Sequence, residues 1–369
     1  MKILITGTHF TPAQALIERL NQGSSHDIVY VGRKSTREGD KSGSIESQVL
    51  PKLGVQFIPI VSGRFTRSLS IWTLISLLKL PIGFLQSFWV VLKEQPEVIV
   101  SFGGYLAFPV VFWGWWFNIP IVIHEQTLRF GLANWLSLPF ASKVAVSFNT
   151  FKKGPKIEVT GNPIRKELLE PHKPGADVGK FLKSADKKPL LLIMGGNQGS
   201  HFINRLIGKC LPELTKSYAI VHQTGDSKLG DYEYLLEEQK KIPNALYFPT
   251  KWLDSDDLSA VLEQTDLVIC RAGMNTLYEL ALKGKPALVI PIPTSVNSEQ
   301  THNAKFFAKA GLGEYMNQGE VSEQVLLQHL PVIMKNLAKF KPTAESQAIF
   351  LPDGVERLAQ LVLGIKSLA

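Results

Sequence analysis

Cysteine is nearly absent: Cys210 and Cys270 are the two in 369 residues, and both lie in apolar segments. That excludes a disulfide framework and a thiolate metal site, and the setting reads as reducing. Charge is sparse as well, at 20% of residues against 45% hydrophobic. Such a balance excludes a disordered chain. RNA- and DNA-binding motifs are lacking, so no nucleic-acid partner is expected. The net charge of +8 is moderate and suits an anionic membrane surface or an anionic substrate. Uninterrupted hydrophobic runs are also scarce. Residues 98–123 carry no charge and could span a bilayer by length, but Gly103-Gly104, Pro109, Gly114 and Asn118-Ile119-Pro120 break them up. A buried strand, a loop, a helix and a second buried strand account for the segment better. The N-terminal apolar run is too short for a signal peptide and opens a strand–turn–helix pattern instead.

What the chain does have is a repeated alternation of short apolar runs with helical patterns. Strands are expected at 2–6, 28–31, 56–60, 97–100, 121–123, 143–147 and 157–159. The pattern restarts at 190–194 and continues at 219–222, 246–249, 267–270 and 287–290. Continuous apolar strands between helices indicate parallel sheets covered on both faces. The expected fold is therefore α/β, with two doubly wound, Rossmann-like parallel-sheet domains. Residues 1–162 form the first and 163–342 the second, joined near Pro163 with a Pro-, Gly- and Lys-rich connector at 170–188. The last helical stretch, about 343–369, is expected to pack back on the first domain. Ligands of open α/β sheets bind beyond the carboxyl ends of the strands, so a cleft between two such domains is the expected site.

Several strand-end loops carry polar chemistry. The richest runs from Asp266 to Asn303: a turn with Arg271 and Gly273, a helix bearing Glu279, and a loop with Glu299, Gln300 and Asn303. A helix start collects anions and a carboxylate suits sugar hydroxyls, which together suggest a nucleotide-sugar site. Thr6-Gly7-Thr8-His9 reads as an anion-holding turn or as a plain turn whose histidine caps a helix. Strand two ends in Val31-Gly32-Arg33-Lys34, without the acidic residue of a dinucleotide site, which argues against NAD. Ser101-Phe102-Gly103-Gly104-Tyr105 allows close backbone approach, or is a simple tight turn. His124-Glu125-Gln126-Thr127 follows an apolar strand directly; Glu125 beside His124 suits a general base or an orienter of one, or else a polar strand end. Gly161-Asn162-Pro163-Ile164-Arg165 places a phosphate clamp, or a solvated arginine, at the joint. Gly195-Gly196-Asn197-Gln198-Gly199-Ser200 is a phosphate-cradling turn that lacks the P-loop ending. Finally, 64–93 holds Arg64, Arg67, Lys79 and Lys93 with Trp72, Phe84, Phe88 and Trp89 and no acid. It suits either an anionic bilayer or an ordinary core helix pair.

In their order along nearly the whole chain these pieces, with Gly131-Leu132-Ala133-Asn134, Asn204, His222-Gln223-Thr224-Gly225, residues 270–281 and residues 299–304, resemble the MurG family of peptidoglycan glycosyltransferases. The resemblance implies a GT-B architecture. Its first domain would face a lipid-linked acceptor, lipid I, and its second would bind UDP-N-acetylglucosamine. The implied reaction moves N-acetylglucosamine to the muramoyl 4-hydroxyl, giving lipid II at the cytoplasmic face of the membrane, with the enzyme held peripherally. Glu279 would then hold the ribose, and Gly196, Asn197, Gln198, Gly199 and Arg165 the diphosphate. Gln300 and Asn303 would lie near the donor sugar. His9, Tyr105, His124, Glu125 and Asn134 would line the acceptor side, with His9 or Glu125 as base. Arg271, Asn204 and Thr6 also match family site positions. The chain departs from the family at Thr8, where glycine is usual, at Thr127, where asparagine is, and at Asn197, where serine is. No cofactor and no metal are expected. The rival readings are a glycosyltransferase acting on another lipid such as diacylglycerol, a UDP-sugar epimerase, and a non-catalytic binding protein.

Overall fold

Runs such as Ile3-Leu4-Ile5 and Leu191-Leu192-Ile193 are apolar on both faces and fully buried. Alternate side chains of a strand point to opposite faces, so a strand of this kind needs cover on each side. The computed structural model describes all residues except 23–25, 35–43, 62–70, 152–153, 197, 227–228, 296–297 and 366–369, and only the backbone of 71–78. Arg64, Arg67 and Asn197, and the side chain of Trp72, lie outside the described residues. The chain divides into two units, Met1–Arg165 with Leu351–Ala369, and Lys166–Phe350.

In unit 1 the elements run β1 (Lys2–Thr6), α1 (Phe10–Asn21), β2 (Asp27–Gly32), α2 (Ile45–Val49), β3 (Gln56–Pro59), α3 (Ile71–Glu94), β4 (Val98–Ser101), α4 (Ala107–Trp116), β5 (Ile121–Glu125), α5 (Leu132–Ser137), β6 (Lys143–Val146) and β7 (Ile157–Val159). The sheet is wholly parallel, in the order β3-β2-β1-β4-β5-β6-β7. Ile3 and Ile5 join α1 in one core, and Leu4 and Ile99 join α4 in the other. Residues 98–123, so apolar in sequence, resolve into β4, α4 and β5. No helix among the described residues is long and apolar enough to cross a membrane.

Unit 2 repeats the plan with α6 (Lys166–Leu169), α7 (Ala176–Ala185), β8 (Leu190–Met194), α8 (His201–Ser217), β9 (Ala219–Gln223), α9 (Asp231–Lys240), β10 (Tyr247–Thr250), α10 (Ser255–Gln264), β11 (Leu267–Cys270), α11 (Met274–Leu282), β12 (Ala287–Val289), α12 (Glu299–Lys309), β13 (Gly313–Tyr315), α13 (Glu323–Lys335) and α14 (Ala344–Ile349). Its order is β10-β9-β8-β11-β12-β13. The last helix, α15 (Gly354–Gly364), returns to unit 1. There Leu358 and Val362 enter the α1 core, and Arg19 pairs with Glu356. In both sheets the strand order reverses beside the first strand, between β1 and β4 and between β8 and β11. Loops at such a reversal splay apart and leave a crevice.

Candidate functional site

At the reversal in unit 1, three loops interlock. Thr8 donates its backbone N–H to Gly103 O at 3.0 Å, tying the first turn to the turn after β4. Gly104 has φ +87°, and a Cβ there would lie 2.0 Å from Thr8 Oγ1. Only glycine fits. His9 caps α1 and stays exposed. Its Nδ1 lies 2.6 Å from the Gln126 amide, which arrives from the end of β5. Desolvation by neighbouring atoms holds the His9 pKa below its ordinary value; Glu125 opposes this and Arg33 adds to it.

Glu125 is occupied. Its Oε1 accepts from Thr127 N at 3.0 Å and Thr127 Oγ1 at 2.8 Å, and its Oε2 from Gly131 N at 3.0 Å and Asn134 Nδ2 at 2.9 Å. A proton could be taken up only by displacing one of these donors, so the geometry does not favour Glu125 as base. Thr127 also reaches Arg129 O at 2.7 Å, and Asn134 donates to His124 O at 3.1 Å. The carboxylate thus staples the loop after β5 to the start of α5. His124 is buried beside Phe102, with Nε2 3.4 Å from Gly161 O. Burial pushes its pKa down to about 4, and it stays neutral near pH 7. Tyr105 packs half-buried on the α4 core. Four buried atoms here have no hydrogen-bond partner: Thr6 Oγ1, His124 Nδ1, Gln126 Oε1 and Asn134 Oδ1.

Unit 2 builds the same place differently. Gly199 sits at φ +74°, where a Cβ would lie 1.9 Å from Thr224 O, so the loop after β8 presses on the loop after β9. Between them runs a buried chain. Tyr247 Oη donates to His222 Nδ1 at 2.9 Å, and His222 Nε2 to Asn204 Oδ1 at 3.0 Å. Asn204 Nδ2 donates to Thr224 O at 2.9 Å and to Asp231 Oδ2 at 3.1 Å. Asn204 is fully buried, so it acts as a cross-link and does not face a ligand. Burial lowers the His222 pKa to about 3.

Arg271 is bound in the same way: Nε to Ser200 Oγ at 2.9 Å, Nη1 to Ile290 O at 3.0 Å and Nη2 to Gln318 Oε1 at 2.8 Å. Desolvation takes its pKa down to about 10. It draws the ends of β11 and β12 and the start of α8 together, which leaves it poorly placed to clamp a phosphate. Asn303 donates to Ala272 O at 3.1 Å, and Gln300 Oε1 accepts from Ile292 N at 3.0 Å. By contrast α11 begins at Gly273 with no side-chain cap. A helix start of this kind favours an anion, and Glu279 lies in the second turn. Gly196, at φ +85°, has nothing within 4 Å of where a Cβ would be. Gln198 and Gly199 continue that turn towards α8. Arg165 ends unit 1 and is half-buried.

Sequence reading places Ser200 and Gln126 within motifs without giving either a role. Ser200 Oγ accepts from both Arg271 Nε and Ile203 N; a serine just before an apolar helical pattern is a capping signal. Asp231 is not picked out by it. One Asp-x-Asp does occur, Asp254-Ser255-Asp256. It starts α10, with Asp254 accepting from Asp257 N at 2.9 Å and Asp256 paired with His172 at 3.2 Å. No group of three or more metal-ligating side chains is found among the described residues.

The glycosyltransferase family 28 N-terminal domain matches residues 4–146, and the family's C-terminal domain matches 190–358. A Legionella pneumophila protein named UDP-N-acetylglucosamine--N-acetylmuramyl-(pentapeptide) pyrophosphoryl-undecaprenol N-acetylglucosamine transferase is 34% identical over 89% of this chain and 87% of its own. The chain belongs to glycosyltransferase family 28. A Clostridium botulinum relative of the same name is 32% identical over 98% of each chain. The crystal structure of Acinetobacter baumannii MurG superposes with a TM-score of 0.71 at 24% identity, covering 98% of this chain and 99% of that one. As a family 28 enzyme, the chain has the two doubly wound sheets that its sequence led one to expect.

Proposed function

We propose that this family 28 enzyme transfers N-acetylglucosamine from UDP-N-acetylglucosamine to the muramoyl 4-hydroxyl of lipid I, forming lipid II. What carries the reading is the pair of glycine turns at adjacent strand ends, Gly196 after β8 and Gly273 before α11, with Glu279 in the second turn of α11. That combination suits a diphosphate and a ribose diol, and the relatives named for this transfer span almost the whole chain.

The reaction is a single displacement. The acceptor oxygen bonds to the anomeric carbon as the bond to the diphosphate oxygen breaks, and the configuration inverts. Negative charge grows on the departing UDP, where the positive end of the α11 dipole stabilises it without reorganising. The hydroxyl proton passes to His9, the exposed candidate, whose imidazole is kept by desolvation in the neutral form that can accept it. Ionised Glu125 nearby favours the imidazolium that results. Glu279 accepts the two ribose hydroxyls, and Gln300 and Asn303 shape the wall near the sugar. Arg165 contributes at the diphosphate, and neither a metal nor a cofactor takes part.

The acceptor's lipid brings the enzyme to the cytoplasmic face of the membrane. Helices α3, α4 and α5 pack side by side and expose Leu85, Trp89 (64%), Trp116 (60%), Leu132 and Trp135. Lys93 and Arg129 are exposed nearby in sequence. Apolar surface with cationic groups suits an anionic bilayer.

The test is incubation of the protein with labelled UDP-N-acetylglucosamine and lipid I. A labelled disaccharide lipid is expected. Transfer to diacylglycerol instead, or release of UDP with epimerised sugar, would sink the reading. Pelleting with phosphatidylglycerol vesicles, lost in Trp89→Glu/Trp116→Glu, tests the membrane face.

A further inference from the structure

We propose that Gln126 is a positioning residue for His9, its amide oxygen holding Nδ1–H so that Nε2 presents a lone pair to the acceptor hydroxyl. The inference rests on the reading of His9 as the base. His9 makes no capping bond with its side chain, and Gln126 is its hydrogen-bond partner, 2.6 Å from Nδ1. Gln126 is itself buried, held at the end of β5. A buried amide therefore fixes one edge of an exposed imidazole.

The orientation of that amide follows from chemistry. Its two ends have nearly the same shape, and the hydrogen-bond network decides between them. With the nitrogen towards His9, Nδ1 must accept, Nε2 carries the hydrogen, and the ring offers the acceptor hydroxyl no base. The Gln126 oxygen then stays buried without a donor. Turning the amide gives that oxygen a donor and frees Nε2. The nitrogen moves to a position where no protein donor competes with it. One rotation thus gives the oxygen a donor and produces the basic tautomer, and it puts the amide nitrogen in the buried place the oxygen held.

Proton bookkeeping is complete within these groups. The hydroxyl proton moves to Nε2 as the glycosidic bond forms, and Nδ1–H stays on the Gln126 oxygen. The resulting imidazolium has a partner at Nδ1 throughout. The charged and titratable groups facing His9 are Glu125 and His124 from β5, and Arg33 after β2. Glu125 cannot replace Gln126, since three N–H donors hold it, and the Thr127 hydroxyl is shared between it and Arg129 O.

The experiment compares the full-length protein with Gln126→Ala and Gln126→Glu, measuring kcat and KM against pH with lipid I. Gln126→Ala is expected to lower kcat about tenfold or more with the KM for UDP-N-acetylglucosamine little changed. In Gln126→Glu the carboxylate can only accept from Nδ1–H, so turnover persists. The acidic limb of the pH profile then moves up by about one unit, because the imidazolium gains a negative neighbour. A limb that stays in place in Gln126→Glu, or wild-type kcat in Gln126→Ala, overturns the proposal. Nitrogen-15 NMR of wild-type histidines, with His9→Gln for assignment, gives an answer independent of turnover. A protonated Nδ1 with a pyridine-like Nε2 is expected at pH 8, and the reverse pattern overturns the proposal. If the protein does not transfer at all, the transferase reading fails while the tautomer result still stands.

Discussion

The two sheets reverse at equivalent places and differ in what they leave available there. In unit 2 every candidate side chain with a resolved partner is tied to another part of the protein: Asn204 to Thr224 and Asp231, Arg271 to three loops, Asn303 to Ala272. What has space around it there is backbone, at Gly196 and Gly273. In unit 1 the equivalent crevice holds an exposed histidine and, besides the Gln126 amide that faces it, three buried polar atoms without partners: Thr6 Oγ1, His124 Nδ1 and Asn134 Oδ1. A diphosphate is satisfied by fixed N–H groups, which need a rigid frame. Proton transfer needs a titratable side chain with room to change its partners. The contrast is one of frame against moving part.

The sharpest way to break this comparison is His9→Ala. Removing a general base costs roughly 10²–10⁴-fold in turnover. UDP affinity, measured by calorimetry, is expected to stay at the wild-type value because the donor frame lies in unit 2. A parallel loss of UDP binding would mean that unit 1 also holds the nucleotide. Next in size is Gly199→Ala. The added methyl meets Thr224 O and demands a backbone conformation that alanine resists. About 3 kcal/mol of stability is expected to go, with UDP affinity falling alongside. Unchanged melting with unchanged affinity would show that the two loops do not form a frame.

Much of this was legible in the sequence, and the parts that were not have a common cause. Strands buried on both faces are continuous apolar runs, so β1, β4, β5, β8 and β11 could be read directly. Strand β13 could not: Gly-Glu-Tyr at a sheet edge has neither length nor apolar character. Motif order pointed to the family, yet it could not tell a ligand contact from a cross-link. Arg271 and Asn303 look like ligand residues in sequence. Their partners are the carbonyls of Ile290 and Ala272, and a backbone carbonyl has no sequence signature. Glu125 misleads for the same reason, since two of the three N–H donors that hold it are backbone groups. Asp254-Ser255-Asp256 shows the converse, a metal-like tripeptide that caps a helix.

A smaller effect is expected from Glu279→Ala, which removes an acceptor for the ribose. Charged hydrogen bonds of this kind are worth roughly 1.5–3 kcal/mol, or about 10- to 150-fold in UDP affinity. Free uridine should weaken in step with UDP, while pyrophosphate should not. Equal weakening of pyrophosphate would place Glu279 in the frame.

The gentlest probe is acid, because each unit buries one histidine of the site. The folded pKa values of His124 and His222 are lowered to about 4 and about 3, whereas an unfolded histidine titrates near 6.5. Below pH 6.5 the unfolded chain therefore binds more protons than the folded one, and stability falls as pH falls. The contribution is fully present above 6.5. It is lost towards pH 4 in unit 1 and towards pH 3 in unit 2, at about 1.4 kcal/mol per pH unit for each histidine. Hydrogen exchange in β5 and β9 between pH 7 and pH 5 reads the two units separately. His124→Asn is expected to flatten the pH slope in β5 alone, and His222→Asn the slope in β9 alone. His222 is bonded through both nitrogens while His124 Nδ1 has no partner, so the second variant should cost more stability at pH 7. Slopes that persist in both variants would assign the acid response to the carboxylates and leave the frame and the moving part indistinguishable in acid.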